Sequence, residues 1–127
     1  KSNDYMDCPS GIPSVQHTLL VLLELVREGV YSLNDLPYYL SHKVADRFKI
    51  IDRGYIREGY WADCVLVDLE YKHTVTKENT SYFCGWSPFE GDTFNSKVIS
   101  TFVNGKHAYN EGRILETNLG VQLEFNR

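Results

Sequence analysis

The spacing of apolar residues changes near the middle of the chain. From Val15 to Val26, the positions Leu19, Leu20, Leu22 and Leu23 put apolar side chains on most sides of one helix, as expected for a helix packed between layers. Arg27 and Glu28 close it, and Gly29 suits the left-handed residue that follows a C-cap. Ser32 with Asp35 three residues later predicts a second helix start of the capping-box kind, with Pro37 early enough to be tolerated. A third short helix is expected over about Lys43 to Phe48, with Val44, Ala45 and Phe48 on one side. Beyond Gly54, turn residues recur every few positions. The apolar stretches between them predict strands at about Cys64 to Asp68, Lys72 to Thr76, Val98 to Val103 and Lys106 to Asn110. Asn104-Gly105 suits a type I′ hairpin turn, and the run Cys64 to Asp68 reads as a strand buried on both faces.

At 127 residues the chain is long enough to bury one core, and nothing in its composition forces disorder. A formal net charge of −4 supplies no basic face for a phosphate backbone, which excludes nucleic acid as a first-choice partner. The longest apolar run is interrupted by Glu24 and is too short for a bilayer, and the N-terminal residues lack the order of a signal peptide. No membrane partner is therefore expected. Cys8, Cys64 and Cys84 are odd in number and widely spaced, which argues against a disulfide framework and for a reducing, cytoplasmic setting. Residues 1–13 carry a density of Pro, Gly, Asp and Ser that marks an irregular loop.

Helices followed by strands read as an α+β chain, and such runs often mean two structural units. The stretch G-Y-I-R-E-G-Y-W-A-D-C-V-L-V-D from Gly54 resembles the segment by which amidohydrolase-superfamily chains leave a (β/α)8 barrel and enter a small composite β-sandwich. Gly54 and Gly59 allow sharp turns there, Ala62 fits where backbone packs closely, and Asp63 can accept from turn amides. Val103, Gly105, Tyr109 and Gly112 occupy the frame of that superfamily's closing hairpin. Residues 10–29, S-G-I-P-S-V-Q-H onward, are similar to the loop and helix after the last barrel strand of the cyclic-amide hydrolases: dihydroorotases, hydantoinases and allantoinases. S-H-K-V-A-D-R-F resembles their S-x-x-P-A-x-x-F helix, with Val44 in place of proline, and G-W-S-P-F-E-G resembles the S-P-F-x-G segment of dihydroorotases and allantoinases.

The resemblance implies that residues 1–53 are the last loop and helices of the barrel and that 54–127 are the C-terminal part of the sandwich. It further implies a zinc-dependent dihydroorotase, which reversibly cyclises N-carbamoyl-L-aspartate to dihydroorotate in pyrimidine biosynthesis. The His-x-His pair, carboxylated lysine, further histidines and aspartate that hold two zinc ions in that family have no counterpart in this sequence. The expectation is a C-terminal fragment beginning just after the catalytic segment, inactive alone, with no catalytic residue and no bound metal of its own. Its partners would be the rest of the barrel, the small-molecule substrate, and a second copy or aspartate transcarbamoylase. Ser10 and Gly11 fall where the family hydrogen-bonds substrate through backbone groups, in a βα loop at the C-terminal end of the barrel. The same residues also read as an ordinary loop before a helix, with Ser10 or Ser14 capping it. A hydantoinase or allantoinase is the enzymatic alternative, and a metal-free dihydroorotase-like scaffold the other.

The remaining candidates have structural readings. His17 fits polar packing or capping at the start of the first helix. His42 fits a helix C-terminus, where a charged imidazole favours the dipole. His73 and His107 lie on separate strands, unlike a helical ligand pair. Asp4, Asp7, Asp63 and Asp68 read as solvated or turn-capping groups, and Tyr82, Phe83, Trp86 and Phe89 as apolar anchors between sandwich and barrel.

Overall fold

The computed structural model describes residues 11–126. Helix α1 spans Thr18–Arg27 and ends in a Schellman motif. Gly29 takes φ +77°, its amide donates to the Val26 carbonyl, and the Val30 amide donates to the Leu25 carbonyl. Helix α2, Asp35–Pro37, begins with half a capping box, the Ser32 amide donating to the Asp35 carboxylate at 2.7 Å. The helix does not then stop and restart. Tyr38–His42 form a π-helical turn, in which the Lys43 amide reaches the Tyr38 carbonyl, and α3 continues from it over Lys43–Phe48. His42 therefore sits inside a continuous helical segment, and its ring stacks on Tyr55 at 4.2 Å instead of facing a helix end.

Strands β1 (Cys64–Asp68), β4 (Lys97–Val103), β5 (Lys106–Asn110) and β6 (Arg113–Ile114) form an antiparallel sheet in the order β1-β4-β5-β6. Strands β2 (His73–Thr74) and β3 (Thr93–Phe94) form a separate ribbon. The β4–β5 hairpin turns on Asn104 and Gly105, whose φ values of 52° and 77° are those of a type I′ turn. The β5–β6 turn repeats the device with Glu111 and Gly112, at φ 46° and 91°. The core lies where α1 meets the ribbon: Leu20 and Leu23 pack with Leu36, Val75 and Phe94, flanked by Val67 and Val98 from the sheet.

Three expected apolar faces are not covered by the described residues. Strand β1 is an edge strand and is not buried on both faces; Leu66 is 56% exposed. On α3 only Ala45 is buried, while Val44 and Phe48 point outward, Phe48 at 63% exposure. Of the aromatic anchors, Tyr82 and Phe89 pack against His17, but Phe83 is fully exposed and Trp86 partly so, at 41%.

The join after α3 is held by a compact set of contacts. Gly54, at φ +83°, sits so close to α3 that a Cβ there would overlap the Ala45 Cβ. Ser41 donates its hydroxyl to the Gly54 carbonyl at 3.1 Å. Asp63 pairs with Arg53 and accepts the Asn104 amide at 2.7 Å, as expected of a residue that receives turn amides. Arg53 also donates to the Asn104 side chain at 2.6 Å, and the Gly105 amide donates to the Ala62 carbonyl at 3.0 Å. The hairpin turn is thereby fastened to the segment that precedes β1. The C-terminal residues return to the same place, the Ile51 amide donating to the Glu124 carbonyl and the Asn126 amide to the Lys49 carbonyl, both at 2.9 Å.

Candidate functional site

The loop that enters α1 carries the candidate site. Ser10 lies outside the described residues, as do Asp4, Asp7 and Cys8. Gly11 is exposed at φ +82°, and a Cβ there would meet nothing within 4 Å. Among the described residues, no side chain packs on Gly11. Ile12 and Val15 are also exposed. At the start of α1 the Ser14 carbonyl accepts from the His17 amide and the Thr18 hydroxyl, each at 3.0 Å, and His17 makes no side-chain cap.

What holds the loop is the next residue. The Gln16 side chain accepts the Ser81 amide at 2.8 Å and donates to the Asn79 carbonyl at 2.8 Å, while its backbone amide donates to the Tyr82 hydroxyl at 2.9 Å. Asn79 is itself fixed, accepting the Thr76 amide at 2.9 Å and donating to the Thr74 carbonyl at 2.7 Å. Gln16 thus ties the loop before α1 to the segment leading out of β2. Of the two stretches that resemble cyclic-amide hydrolases, S-G-I-P-S-V-Q-H and G-W-S-P-F-E-G, the end of the first meets the second where the His17 ring lies 5.5 Å from that of Phe89.

His17 completes the join by packing. Its ring is fully buried, 5.7 Å from Tyr82, 5.5 Å from Phe89 and stacked on Phe94 at 6.0 Å. Nδ1 lies 3.0 Å from the Tyr82 hydroxyl, whereas Nε2 is buried with no hydrogen-bond partner among the described residues. Burial, and secondarily the nearby His73, holds its pKa below the ordinary imidazole value. His17 is a neutral packing group, in keeping with its expected polar-packing role and without the capping one.

His73 lies near His17, and neither it nor another histidine is hydrogen-bonded to His17 among the described residues. His73 is on β2, its basicity lowered by burial and by Lys97, and His107 stacks on Phe102 at 4.5 Å within the sheet. Among the described residues, no group of three or more His, Cys, Asp or Glu side chains is arranged to hold a metal ion, so these residues do not fit a zinc site. Cys64 and Cys84 are free thiols. Asp68 caps a turn, its carboxylate accepting the Glu70 amide at 2.9 Å. Among the described residues the arrangement supplies a loop tied at Gln16, and no serine, threonine or cysteine hydrogen-bonded to a histidine. Sequence reasoning missed Gln16, Asn79 and Ser81. The available signal was a pair of polar residues, Gln16 and His17, directly before an apolar helix that already has a turn to start it.

No family model matches the chain. Curated proteins do: it is 33% identical over 124 residues to an allantoinase of Desulfitobacterium hafniense, covering 97% of this chain and 28% of that protein. It is 36% identical over 112 residues to a dihydroorotase of Clostridium acetobutylicum, covering 87% of this chain and 26% of that protein. Among solved structures it resembles the D-hydantoinase of Bacillus sp. AR9, with a TM-score of 0.78 and 29% identity over 88% of this chain and 25% of that one. The chain spans about a quarter of the length of the proteins it matches. No helix of the structure is long and apolar enough to cross a membrane. Sequence and fold point to the same set of proteins: over most of its length the chain is similar to about one quarter of the length of proteins named dihydroorotase, allantoinase and hydantoinase, consistent with a segment of an amidohydrolase.

Proposed function

We propose that the chain is the C-terminal portion of a dihydroorotase, which closes N-carbamoyl-L-aspartate to dihydroorotate with loss of water and reopens it in reverse. The observation that supports this reading is the packing of His17, at the end of S-G-I-P-S-V-Q-H, against Phe89 of G-W-S-P-F-E-G at 5.5 Å, because it brings together two segments that resemble dihydroorotases. In this reading residues 1–53 finish the barrel and 54–127 belong to the composite sandwich. The exposed apolar faces of α3 and β1 support it, since each is a surface that a larger protein would cover. Ser10 and Gly11 present backbone groups to the substrate ring or its carboxylate. This part of the chain binds and orients substrate, and the isolated chain is inactive. The parent's zinc ions would be held by residues other than those described here, in a cytoplasmic enzyme that pairs with a second copy or with aspartate transcarbamoylase.

A second reading, allantoinase or hydantoinase, is favoured by the match to the D. hafniense allantoinase over nearly the whole chain. Assay of the full-length protein with dihydroorotate, allantoin and hydantoin decides between them. Turnover of dihydroorotate is expected. Silence towards dihydroorotate with turnover of either other amide rejects the first reading, and restoration of chelator-abolished activity by zinc tests the metal requirement.

A further inference from the structure

We infer that Gln16 and Tyr82 are positioning residues for the substrate loop, acting from outside it. The inference rests on the reading that residues 10–11 contact a cyclic amide. Among the described residues the loop has few other ties: Gly11, Ile12 and Val15 are exposed, and a Cβ on Gly11 would meet nothing within 4 Å. Its downstream end is bound at three points, by both ends of the Gln16 amide and by the Gln16 backbone N–H on the Tyr82 hydroxyl. Each of those points leads back to rigid structure. Asn79 is bonded at both ends of its side chain to residues 74–76, the Thr80 hydroxyl donates to the Thr76 carbonyl at 2.7 Å, and Val75 is buried in the core.

Tyr82 adds a constraint in rotation. Its hydroxyl takes the Gln16 amide proton while facing Nδ1 of His17, a ring that Phe89 and Phe94 prevent from turning. A shift of the loop relative to residues 79–82 therefore breaks several polar contacts at once, with no water-free alternative for the buried imidazole. Binding groups must be held to a fraction of an ångström for substrate contacts to form, and residues 79–82, through Gln16, fix the end of the loop that leads back to Gly11. Losing these ties loosens substrate binding and leaves the reacting groups, which lie elsewhere, unaffected.

Tyr82→Phe and Gln16→Glu in the full-length protein test this. Tyr82→Phe removes the shared hydroxyl. Gln16→Glu keeps the acceptor for the Ser81 amide but sets a carboxylate oxygen against the Asn79 carbonyl. Expected is a rise in KM for the cyclic amide of about five- to twentyfold in each, with kcat within about twofold and a less-than-additive double variant. Should Tyr82→Phe lower the melting temperature enough to blur its kinetics, Gln16→Glu decides, since its side chain is at the surface. An active wild type whose variants keep their KM, with kcat unchanged or lowered as partial unfolding lowers it, overturns this inference alone. A wild type silent towards dihydroorotate, allantoin and hydantoin overturns the functional reading and this inference with it.

Discussion

Replacing Gly54 with alanine separates two costs that the join after α3 imposes. The first is conformational: at φ +83° an L-residue suffers a clash of its Cβ with the backbone, worth about 1–2 kcal/mol. The second is local, because the new Cβ would overlap that of Ala45 and lie 3.2 Å from the Ser41 carbonyl oxygen, against about 3.5–4.0 Å for ordinary contact. Ala45 is buried and a backbone carbonyl cannot rotate away, so relief requires α3 and the turn to separate. That movement puts the hydrogen bond from Ser41 to Gly54 at risk, and overpacking of this kind costs about 1–3 kcal/mol. Gly54→Ala is therefore expected to destabilise by about 2–5 kcal/mol, a fall in melting temperature of about 8–20 °C for a chain of this size. Gly59 is the internal control: its φ is +85°, but a Cβ there meets nothing within 4 Å, so Gly59→Ala carries only the first cost. Ala45→Gly removes the overlap, so although glycine in the helix costs about 1 kcal/mol by itself, the double variant should be less destabilised than the sum of the two single ones. Thermal and urea unfolding followed by circular dichroism give the comparison. Equal destabilisation by Gly54→Ala and Gly59→Ala would show that the close approach to α3 has no energetic consequence.

Three other outcomes are expected. His17 is neutral when folded and takes a proton near pH 6.5 when unfolded, so its contribution is fully present above that pH and is lost as the pH falls towards the depressed folded value. Urea midpoints should drop below pH 6.5 with a slope of up to about 1.4 kcal/mol per pH unit from this group, with His73 acting in the same direction; His17→Phe should flatten the profile, and an unchanged slope refutes the assignment. Asp63→Ala leaves the mostly buried Arg53 guanidinium and the Asn104 amide without their shared acceptor, at a cost of about 1–3 kcal/mol once solvent access to Asp63 is allowed for; a loss below about 0.5 kcal/mol in urea unfolding counts against that network. The isolated chain should self-associate through the uncovered faces of β1 and α3, and Leu66→Lys on the edge strand should reduce the association seen in sedimentation velocity; a wild-type chain that stays monomeric at high concentration contradicts this.

Local chemistry was the most legible part of this protein in its sequence. The bounds of α3, β1 and β5 follow from short apolar runs between breakers, and the Asn104-Gly105 hairpin and the Gly29 helix stop follow from residues that tolerate positive φ. Those are near-neighbour effects, decided by sterics within a few residues. The two-residue strands β3 and β6 were not legible, because each exists only through a partner: Thr93–Phe94 through β2, and Arg113–Ile114 through the return of the chain at Glu111-Gly112. The π-helical turn likewise escaped the helical pattern, which is nearly the same for i→i−4 and i→i−5 bonding over one turn.

The sequence by itself determined the kind of chain, helices then strands around one modest core, and which stretches resemble cyclic-amide hydrolases. Only the tertiary structure decided what those stretches do to one another. Gln16 and Ser81 are 65 residues apart, and no periodicity relates them. Their contact arises because α1 must bury Leu20 and Leu23 against Val75 and Phe94, and that burial carries the loop before the helix onto residues 79–82. Hydrophobic burial is non-directional and acts over the whole face of a helix, so it determines which segments meet; directional hydrogen bonds, formed only after they meet, determine how the loop is held.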